Sequence, residues 1–178
     1  MNLFKDLRPG PDPPKVVNVV VEIPTRSRNK YEYVVEGGYF FLDRVLPSPF
    51  GYPMDYGFVP RTLSEDGDAL DALVLLHEPT FPGCVLEARV VGIARMRDEK
   101  GMDEKILTVA AREPRLNNVN SLGDLSEHWR LGITHFFEEY KRLEGPDKWA
   151  EVIDWRDVDA ALEAVRAAIE NYRKKLAE

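Results

Sequence analysis

Short runs rich in β-branched and aromatic residues recur through the first two thirds of the chain, and turn-forming residues separate them. Such runs are typical of β-strands. The segments with this pattern are 16–24, 30–35, 39–46, 71–76, 84–99 and 105–111. A turn at 36–38 joins the second segment to the third, and a turn at 98–103 precedes the last. The segment 84–99 is either one long strand or a bent pair. Prolines and glycines interrupt 47–60, which predicts an ordered loop rich in aromatic residues.

The last third of the chain changes to a helical period. Apolar residues at 158, 162, 165, 169, 172 and 176 alternate spacings of four and three, which predicts an amphipathic helix. A second helix is predicted over 124–143, with Asp124 as the capping residue and Glu127 three positions later. Five to seven short strands followed by two helices favour an α+β fold. We expect a small antiparallel barrel flanked by helices, in a single domain over residues 1–178.

Composition and charge narrow the functional classes. The chain has 178 residues, of which 44% are hydrophobic and 31% charged, which suits one soluble domain with a sizeable core. The net charge of −7 works against binding a nucleic acid, because that affinity comes largely from Lys and Arg contacts. Cys84 is the single cysteine and has no partner for an internal disulfide. We find no apolar leader or membrane-spanning run, so a cytoplasmic protein without a membrane partner is expected.

Acidic residues gather in three places. Asp66, Asp68 and Asp71 fall within six positions beside an apolar run. A second group lies in the turn after the long strand, and Glu22 and Glu32 lie inside predicted strands. Converging carboxylates suit a hard cation such as Mg²⁺, whose charge offsets their repulsion. The alternative is a solvated turn for each loop and a surface position for each strand residue.

Cationic and phenolic side chains are candidates for holding an anion. Lys30 shares one strand face with Glu32, because the two residues are two positions apart. Arg44 ends its strand among apolar residues, and its planar guanidinium is suited to paired hydrogen bonds with phosphate. Tyr140 and Lys141 lie near the end of the predicted aromatic helix. The plain alternatives are a surface ion pair for Lys30 and a helix-dipole interaction for Lys141.

Seven short segments together resemble one known family. Over roughly residues 16–155 the chain carries, in this order, VEIP, NKYEY, LDRVL, YPMDYGF, EDGDALDALVL, RDEKGMDEKI and HFFEEYK. The chain thereby resembles the soluble, single-domain, magnesium-dependent inorganic pyrophosphatases (family I). The resemblance implies a five-stranded OB-like β-barrel with flanking hairpins and two main C-terminal helices, assembled as a homohexamer. Ala69 departs from the family, which usually has proline there, and we expect altered stiffness of that loop.

The resemblance also implies a reaction and a role for each candidate residue. The reaction is hydrolysis of pyrophosphate to two phosphates by a metal-activated water, without a covalent intermediate. The cofactors are several Mg²⁺ ions per active site, with Mn²⁺ or Co²⁺ as substitutes. Asp68 would accept the proton of the attacking water, and Tyr56 would flank that water. The magnesium ligands would be Asp66, Asp71, Asp98, Asp103 and Glu22. The phosphate clamp would be Lys30, Arg44, Tyr140 and Lys141, and the supporting residues Glu32, Tyr52, Glu99 and Lys105.

Two other functions stay open from the sequence. The first is another magnesium-dependent phosphohydrolase, acting on nucleotides or organic diphosphates. The second is a non-enzymatic OB-like binding protein, although the net charge of −7 counts against a nucleic acid ligand. Stabilisation by Mg²⁺ distinguishes these classes, because a metal enzyme gains thermal stability from its ion and a plain binder does not.

Overall fold

The computed structural model describes residues 1–177 as eight strands and two main helices. The elements are β1 (Val16–Ile23), β2 (Asn29–Val34), β3 (Tyr39–Val45), β4 (Asp55–Phe58), β5 (Asp71–Leu75), β6 (Val85–Asp98), β7 (Gly101–Ala110), α1 (Glu127–Glu139), β8 (Ala150–Asp157) and α2 (Val158–Ala177). All strands predicted from the hydrophobic pattern are confirmed, and the segment 84–99 contains one long strand. Among the described residues, no helix combines the length and apolar character that crossing a bilayer requires.

Five strands close into a barrel. The main sheet has the order β1-β4-β5-β7-β6-β8, and β1 also pairs with β6, which leaves β8 outside the closed ring. This arrangement confirms the predicted OB-like barrel, and the β2–β3 hairpin flanks it as a separate sheet. The prediction of antiparallel pairing is wrong for β5 and β7, which are parallel. Since β6 is antiparallel to both β1 and β7, β7 runs in the direction of β1, which is also the direction of β5.

The two helices cover separate parts of the core. From α1, Ile133, Phe136 and Phe137 enter one buried cluster. From α2, Val165 and Ile169 enter the other, on the apolar face that the spacing of four and three predicted. Both helices therefore brace the strands that carry the polar residues discussed below.

The segment 47–60 contains a strand that the sequence analysis missed. Residues Asp55–Phe58 form β4 between β1 and β5, so the predicted loop is wrong over these positions. The prolines at 53 and 60 lie outside the strand and leave its hydrogen-bonded ladder intact. Gly57 permits a close approach to β1, because a Cβ at this position would lie 1.9 Å from the carbonyl oxygen of Val20.

The helix predicted over 124–143 is shorter at both ends. α1 covers Glu127–Glu139, and Ser126 caps it by accepting a hydrogen bond from the His128 amide at 3.3 Å. Asp124 ends a preceding 3₁₀ turn, where its carboxylate accepts hydrogen bonds from the amides of residues 120 and 121. The position of Glu127 three residues after Asp124 had favoured the wrong cap, although Ser and Asp are both good capping residues.

Residues Ala150–Asp157 form a strand that was not predicted. β8 pairs with β6 alone, and none of its residues is fully buried. Because no face of β8 is continuously buried, its hydrophobic alternation is weak. The prediction that five to seven strands come first and the helices last is therefore wrong, since an eighth strand lies between the two helices.

Candidate active site

A cleft of about 890 Å³ opens between the barrel, the β2–β3 hairpin and the segment that follows α1. Every residue that the sequence analysis placed in a site lies on its wall. These residues are Glu22, Lys30, Glu32, Arg44, Tyr52, Tyr56, Asp66, Asp68, Asp71, Asp98, Glu99, Asp103, Lys105, Tyr140 and Lys141. The fold therefore brings together positions that are spread over most of the chain.

Lys105 connects the carboxylates of two neighbouring strands. Its ammonium group donates to Asp71 Oδ2 at 2.8 Å, to Asp103 Oδ1 at 2.9 Å and to the Tyr56 hydroxyl at 3.0 Å. The parallel pairing of β5 with β7 sets Asp71 opposite Lys105, and Asp103 lies two positions earlier on the same strand face. Burial disfavours the ammonium, but the charges of Asp71 and Asp103 outweigh it and raise the pKa of Lys105. Lys105 is therefore a cation and offsets part of the carboxylate repulsion.

Tyr56 joins this network to an aromatic wall. Its hydroxyl donates to Asp71 Oδ2 at 2.5 Å, and its ring centroid lies 5.2 Å from that of Tyr52 and 6.4 Å from that of Phe137. Burial, together with the charges of Asp71 and Asp103, raises the pKa of Tyr56 well above its usual value. The phenol is therefore protonated and acts as a hydrogen-bond donor in the cleft.

The acidic loop before β5 carries Asp66 and Asp68. The Asp68 amide donates to Asp66 Oδ1 at 3.0 Å, and Gly67 between them has a φ of 92°, a conformation that glycine adopts readily. Partial burial, with the charges of Asp66 and Asp71, raises the pKa of Asp68, which makes its carboxylate a stronger base. Ala69, at the position of the family's usual proline, packs against an apolar cluster contributed by β1, β2 and β4.

Glu22 is a carboxylate inside the barrel strand β1. The Tyr33 amide donates to Glu22 Oε1 at 2.7 Å. Burial, with the negative charge of Asp71, raises the pKa of Glu22 to about 8, although the hydrogen bond from Tyr33 opposes the shift. A carboxylate held at such a position suits a cationic ligand.

The turn between β6 and β7 is tied to the segment after α1. Lys141 Nζ donates to Asp98 Oδ2 and to Glu99 Oε2, both at 2.8 Å, and Lys148 Nζ donates to Glu99 Oε1 at 3.1 Å. Burial opposes ionisation of Glu99, but the hydrogen bonds from the two lysines outweigh it and lower its pKa to about 2. The turn therefore presents ionised carboxylates to the cleft.

The candidate phosphate ligands Arg44 and Lys30 are held by other carboxylates. Arg44 Nε donates to Glu144 Oε1 at 2.7 Å, and a second guanidinium nitrogen donates to Asp43. Lys30 pairs with Glu32 and lies 3.6 Å from Asp43. These contacts orient the two cations along the cleft while the Arg44 side chain is 35% exposed and accessible to an anion.

Four charged residues of the cleft were missed by the sequence analysis. They line the same cavity and contact predicted site residues, and they are Asp43, Lys100, Glu144 and Lys148. Asp43 offered one signal, its position beside Arg44. Glu144 and Lys148 lie in a polar segment after α1 that carries no spacing or hydrophobic pattern to distinguish it from a surface loop.

The donor set fits a hard divalent cation. The five candidate ligands on the cleft wall offer only carboxylate oxygens, the donor type that Mg²⁺ prefers. Among residues 1–177, no three acidic, His or Cys side chains converge as a ready-made metal cage. Since Mg²⁺ usually keeps several waters and shares substrate oxygens, an open set of carboxylates suits it. With lysine and arginine nearby, the cleft is able to hold a cation and a phosphate anion side by side.

Known proteins are similar to this chain in sequence and architecture. A model of the family described as inorganic pyrophosphatase matches residues 19–173. The inorganic pyrophosphatase of Thermus thermophilus is 51% identical over 171 residues, which cover 96% of this chain and 98% of that protein. Its crystal structure is similar with a TM-score of 0.94 at 50% identity, covering 97% and 99% of the two chains. The structure of the Helicobacter pylori inorganic pyrophosphatase gives a TM-score of 0.90 at 41% identity, covering 95% and 99%.

Proposed function

The chain belongs to the inorganic pyrophosphatase family, and we propose on this basis that it hydrolyses pyrophosphate to two phosphates. The attacking group is an activated water, and no covalent enzyme intermediate forms. The observation that carries this proposal is the convergence of all fifteen candidate residues on one cleft. A single surface there offers carboxylates for a metal ion, cations for phosphate and a carboxylate base for water, which are the needs of phosphoryl transfer to water.

We assign the metals to several Mg²⁺ ions, held by a set of carboxylates on five different segments. The ligands are Glu22, Asp66, Asp71, Asp98 and Asp103. Mn²⁺ and Co²⁺ are substitutes, because oxygen donors accept several divalent ions. When bound, Mg²⁺ neutralises phosphate charge and lowers the pKa of water. Lys105 supports two of these ligands by its hydrogen bonds to Asp71 and Asp103, while Glu99 and Glu32 support Lys141 and Lys30 in the same way.

Asp68 is the proposed general base. Its raised pKa suits proton removal from the attacking water, and its place in the loop before β5 puts it beside the ligands Asp66 and Asp71. The Tyr56 hydroxyl, held by Lys105 and Asp71, flanks that water. The chain thus supplies both the group that receives the proton and a fixed phenol oxygen beside the nucleophile, whose own proton is donated to Asp71.

The proposed phosphate clamp comes from both sides of the cleft. Lys30 and Arg44 belong to the β2–β3 hairpin, while Tyr140 and Lys141 follow α1. Arg44 and Lys141 stabilise the charge that develops on the leaving phosphate, because charge-assisted hydrogen bonds strengthen as that charge grows. Tyr52, packed 5.2 Å from Tyr56 between ring centroids, supports the aromatic wall behind the substrate.

We further propose that the chain functions as a homohexamer, with no nucleic acid or membrane partner. Large apolar side chains are exposed on the single chain, including Leu131 at 59%, Leu143 at 68% and Phe81 at 64%. Large apolar side chains that are exposed on the single chain are available for burial between subunits. Light scattering should give six times the 20.3 kDa chain mass, and a monomer at assay concentration contradicts this assembly. A cytoplasmic location stays a prediction from the sequence.

The first experiment measures phosphate release from pyrophosphate with Mg²⁺ and with chelator, using ATP as a second substrate. We expect fast, Mg²⁺-dependent release from pyrophosphate and little from ATP. Comparable release from ATP indicates a broader phosphohydrolase. No release from a protein that Mg²⁺ still stabilises means that the carboxylates bind metal for another substrate.

A further inference from the structure

Asp55 carries a fully buried carboxylate that the proposed mechanism does not use. It is the first residue of β4, directly before Tyr56, and its exposure is 0%. Four donors hold it. Oδ1 accepts hydrogen bonds from the Thr25 amide at 2.7 Å and the Thr25 hydroxyl at 2.8 Å. Oδ2 accepts hydrogen bonds from the Thr80 amide at 2.9 Å and the Thr80 hydroxyl at 2.6 Å.

The two threonines lie in the segments that follow the strands on either side of β4. Thr25 follows the end of β1, and Thr80 lies in the connection from β5 to β6. β1 and β5 are the two hydrogen-bonded neighbours of β4. The Asp55 carboxylate therefore fixes the start of β4 to the segments that follow both neighbouring strands. This start is the point from which Tyr56 extends into the cleft.

The turn that contains Thr25 also fixes Tyr52. Arg26 has a φ of 69°, and its amide donates to the Tyr52 carbonyl at 2.8 Å. The Tyr52 amide donates to the Ser27 carbonyl at 3.0 Å. A non-glycine residue in this conformation requires support from its surroundings, and the hydrogen bonds from Thr25 to Asp55 supply it.

We propose that Asp55 is a positioning residue, which holds the Tyr56 hydroxyl in hydrogen-bonding distance of Asp71 and Lys105 by accepting hydrogen bonds from Thr25 and Thr80. We call these four hydrogen bonds the Asp55 clasp. This inference rests on the proposed function, in which Tyr56 flanks the attacking water. Small displacements of such a group lower turnover strongly, because the nucleophile and the groups that flank it must be aligned in the transition state. The fully formed clasp keeps that alignment before substrate arrives.

The two side-chain oxygens of aspartate suit this position better than the amide group of asparagine does. Each carboxylate oxygen accepts from one backbone amide, and the two amides belong to different segments. An asparagine offers one acceptor oxygen and one amino group, so one of the two backbone amides loses its partner. Asp55→Asn therefore keeps the side-chain volume while it releases one side of the clasp.

The test is a double-mutant cycle in phosphate release at saturating Mg²⁺, with Asp55→Asn, Tyr56→Phe and the double variant. We expect Asp55→Asn to lower kcat by about tenfold and to change KM by less than about twofold, because alignment and not substrate binding is lost. In the Tyr56→Phe background the same change should lower kcat by less than about twofold. An equal loss in both backgrounds overturns the proposal, since Asp55 then acts independently of Tyr56.

Thr108→Val is the matched control. Thr108 is also fully buried, and its hydroxyl donates to the Leu73 carbonyl at 2.8 Å. Thr108 of β7 and Asp55 of β4 both pair with Val74 of β5, from opposite sides of that strand. This variant should lower the melting temperature while kcat is unchanged. A loss of kcat that matches that of Asp55→Asn shows that any buried hydrogen bond of the sheet matters equally, and it overturns the proposal.

Two further measurements keep the positioning role testable if Asp55→Asn does not fold or if the proposed function fails. If Asp55→Asn does not fold, Thr80→Val removes one hydroxyl donor and enters the same cycle, where coupling to Tyr56→Phe is again required. If the parent protein releases no phosphate, the proposed function fails, and near-ultraviolet circular dichroism still tests the positioning. Asp55→Asn should then alter the tyrosine signal in the parent and much less in Tyr56→Phe, and identical spectral changes in both contradict the inference.

Discussion

The Lys105 ammonium lies 2.8 Å from the Asp71 carboxylate, across the parallel pair formed by β5 and β7. The Lys105 side chain is 5% exposed, whereas that of Asp71 is 28% exposed and opens to the cleft. The protein thus places a permanent internal cation behind carboxylates that we assign to metal. Part of their repulsion is offset by the fold itself, and the rest is left for Mg²⁺ and substrate.

Lys105→Met should destabilise the protein most when metal is removed. Breaking a buried ion pair costs about 3–5 kcal/mol, and the partial exposure of Asp71 and Asp103 lowers the expected loss to about 2 kcal/mol. Mg²⁺ supplies a replacement charge, so the loss in melting temperature should be larger with chelator than with Mg²⁺. Calorimetry under both conditions measures the difference. Lys174→Met, at an exposed position of α2 outside the cleft wall, is the control. Equal losses with and without Mg²⁺ for Lys105→Met contradict the assignment of Asp71 and Asp103 to the metal.

Asp68→Asn should preserve folding and Mg²⁺ binding but abolish most turnover. Loss of a general base lowers rates by about 10²–10⁴-fold. Steady-state phosphate release gives kcat, and a melting curve with Mg²⁺ reports whether the metal still binds. Glu65→Gln, on the same exposed loop but outside the cleft wall, should keep parental kcat. If Asp68→Asn keeps turnover near the parental value, Asp68 is not the general base.

Arg44→Ala should weaken productive binding of pyrophosphate. Hydrogen bonds to charged groups contribute about 1.5–3 kcal/mol, which corresponds to roughly 10- to 150-fold in kcat/KM. Initial rates over a range of pyrophosphate concentrations measure this ratio. Arg112→Ala, where the side chain is 83% exposed and pairs with Glu87, tests whether charge loss alone has an effect. If Arg44→Ala and Arg112→Ala behave alike, Arg44 is not part of the clamp.

Mg²⁺ should raise the melting temperature by mass action. At about 100 times its dissociation constant, an ion that binds only the folded state adds about 2.7 kcal/mol, or about 5–10 °C for a chain of this size. Differential scanning fluorimetry with a Mg²⁺ titration and a chelator reference measures the shift. Asp71→Asn should reduce the shift, and an unchanged shift in that variant places the metal elsewhere.

The hydrophobic pattern predicted elements with one continuous buried face, such as β1 and α2. Val17, Val19 and Ile23 of the strand and Val165 and Ile169 of the helix are all buried. The pattern also predicted β3, which has no buried residue, from its aromatic residues and the turn before it. β4 was missed because prolines and a glycine surround and interrupt its four residues, and β8 because charged residues interrupt its apolar positions. In both cases tertiary pairing, and not local preference, decides the structure.

The site residues were predicted from seven motifs in order, and the structure adds how they are held. The sequence indicated the carboxylates, but it did not indicate that Lys105 contacts both Asp71 and Asp103, because the parallel register that aligns them was not expected. Glu144 was not predicted as a site residue for another reason. Its contact with Arg44 joins residues 100 positions apart, and no local pattern records so distant a pair.

The contact between Arg44 and Glu144 has a consequence for synthesis of the chain. A ribosome releases the N-terminal segments first, so the hairpin that carries Arg44 emerges long before Glu144 and Lys141. The cleft is complete only when nearly the whole chain is available. Phosphate release therefore requires that synthesis has passed residues 141–148. Fragments truncated before these residues should be inactive, even where their barrel strands have already formed.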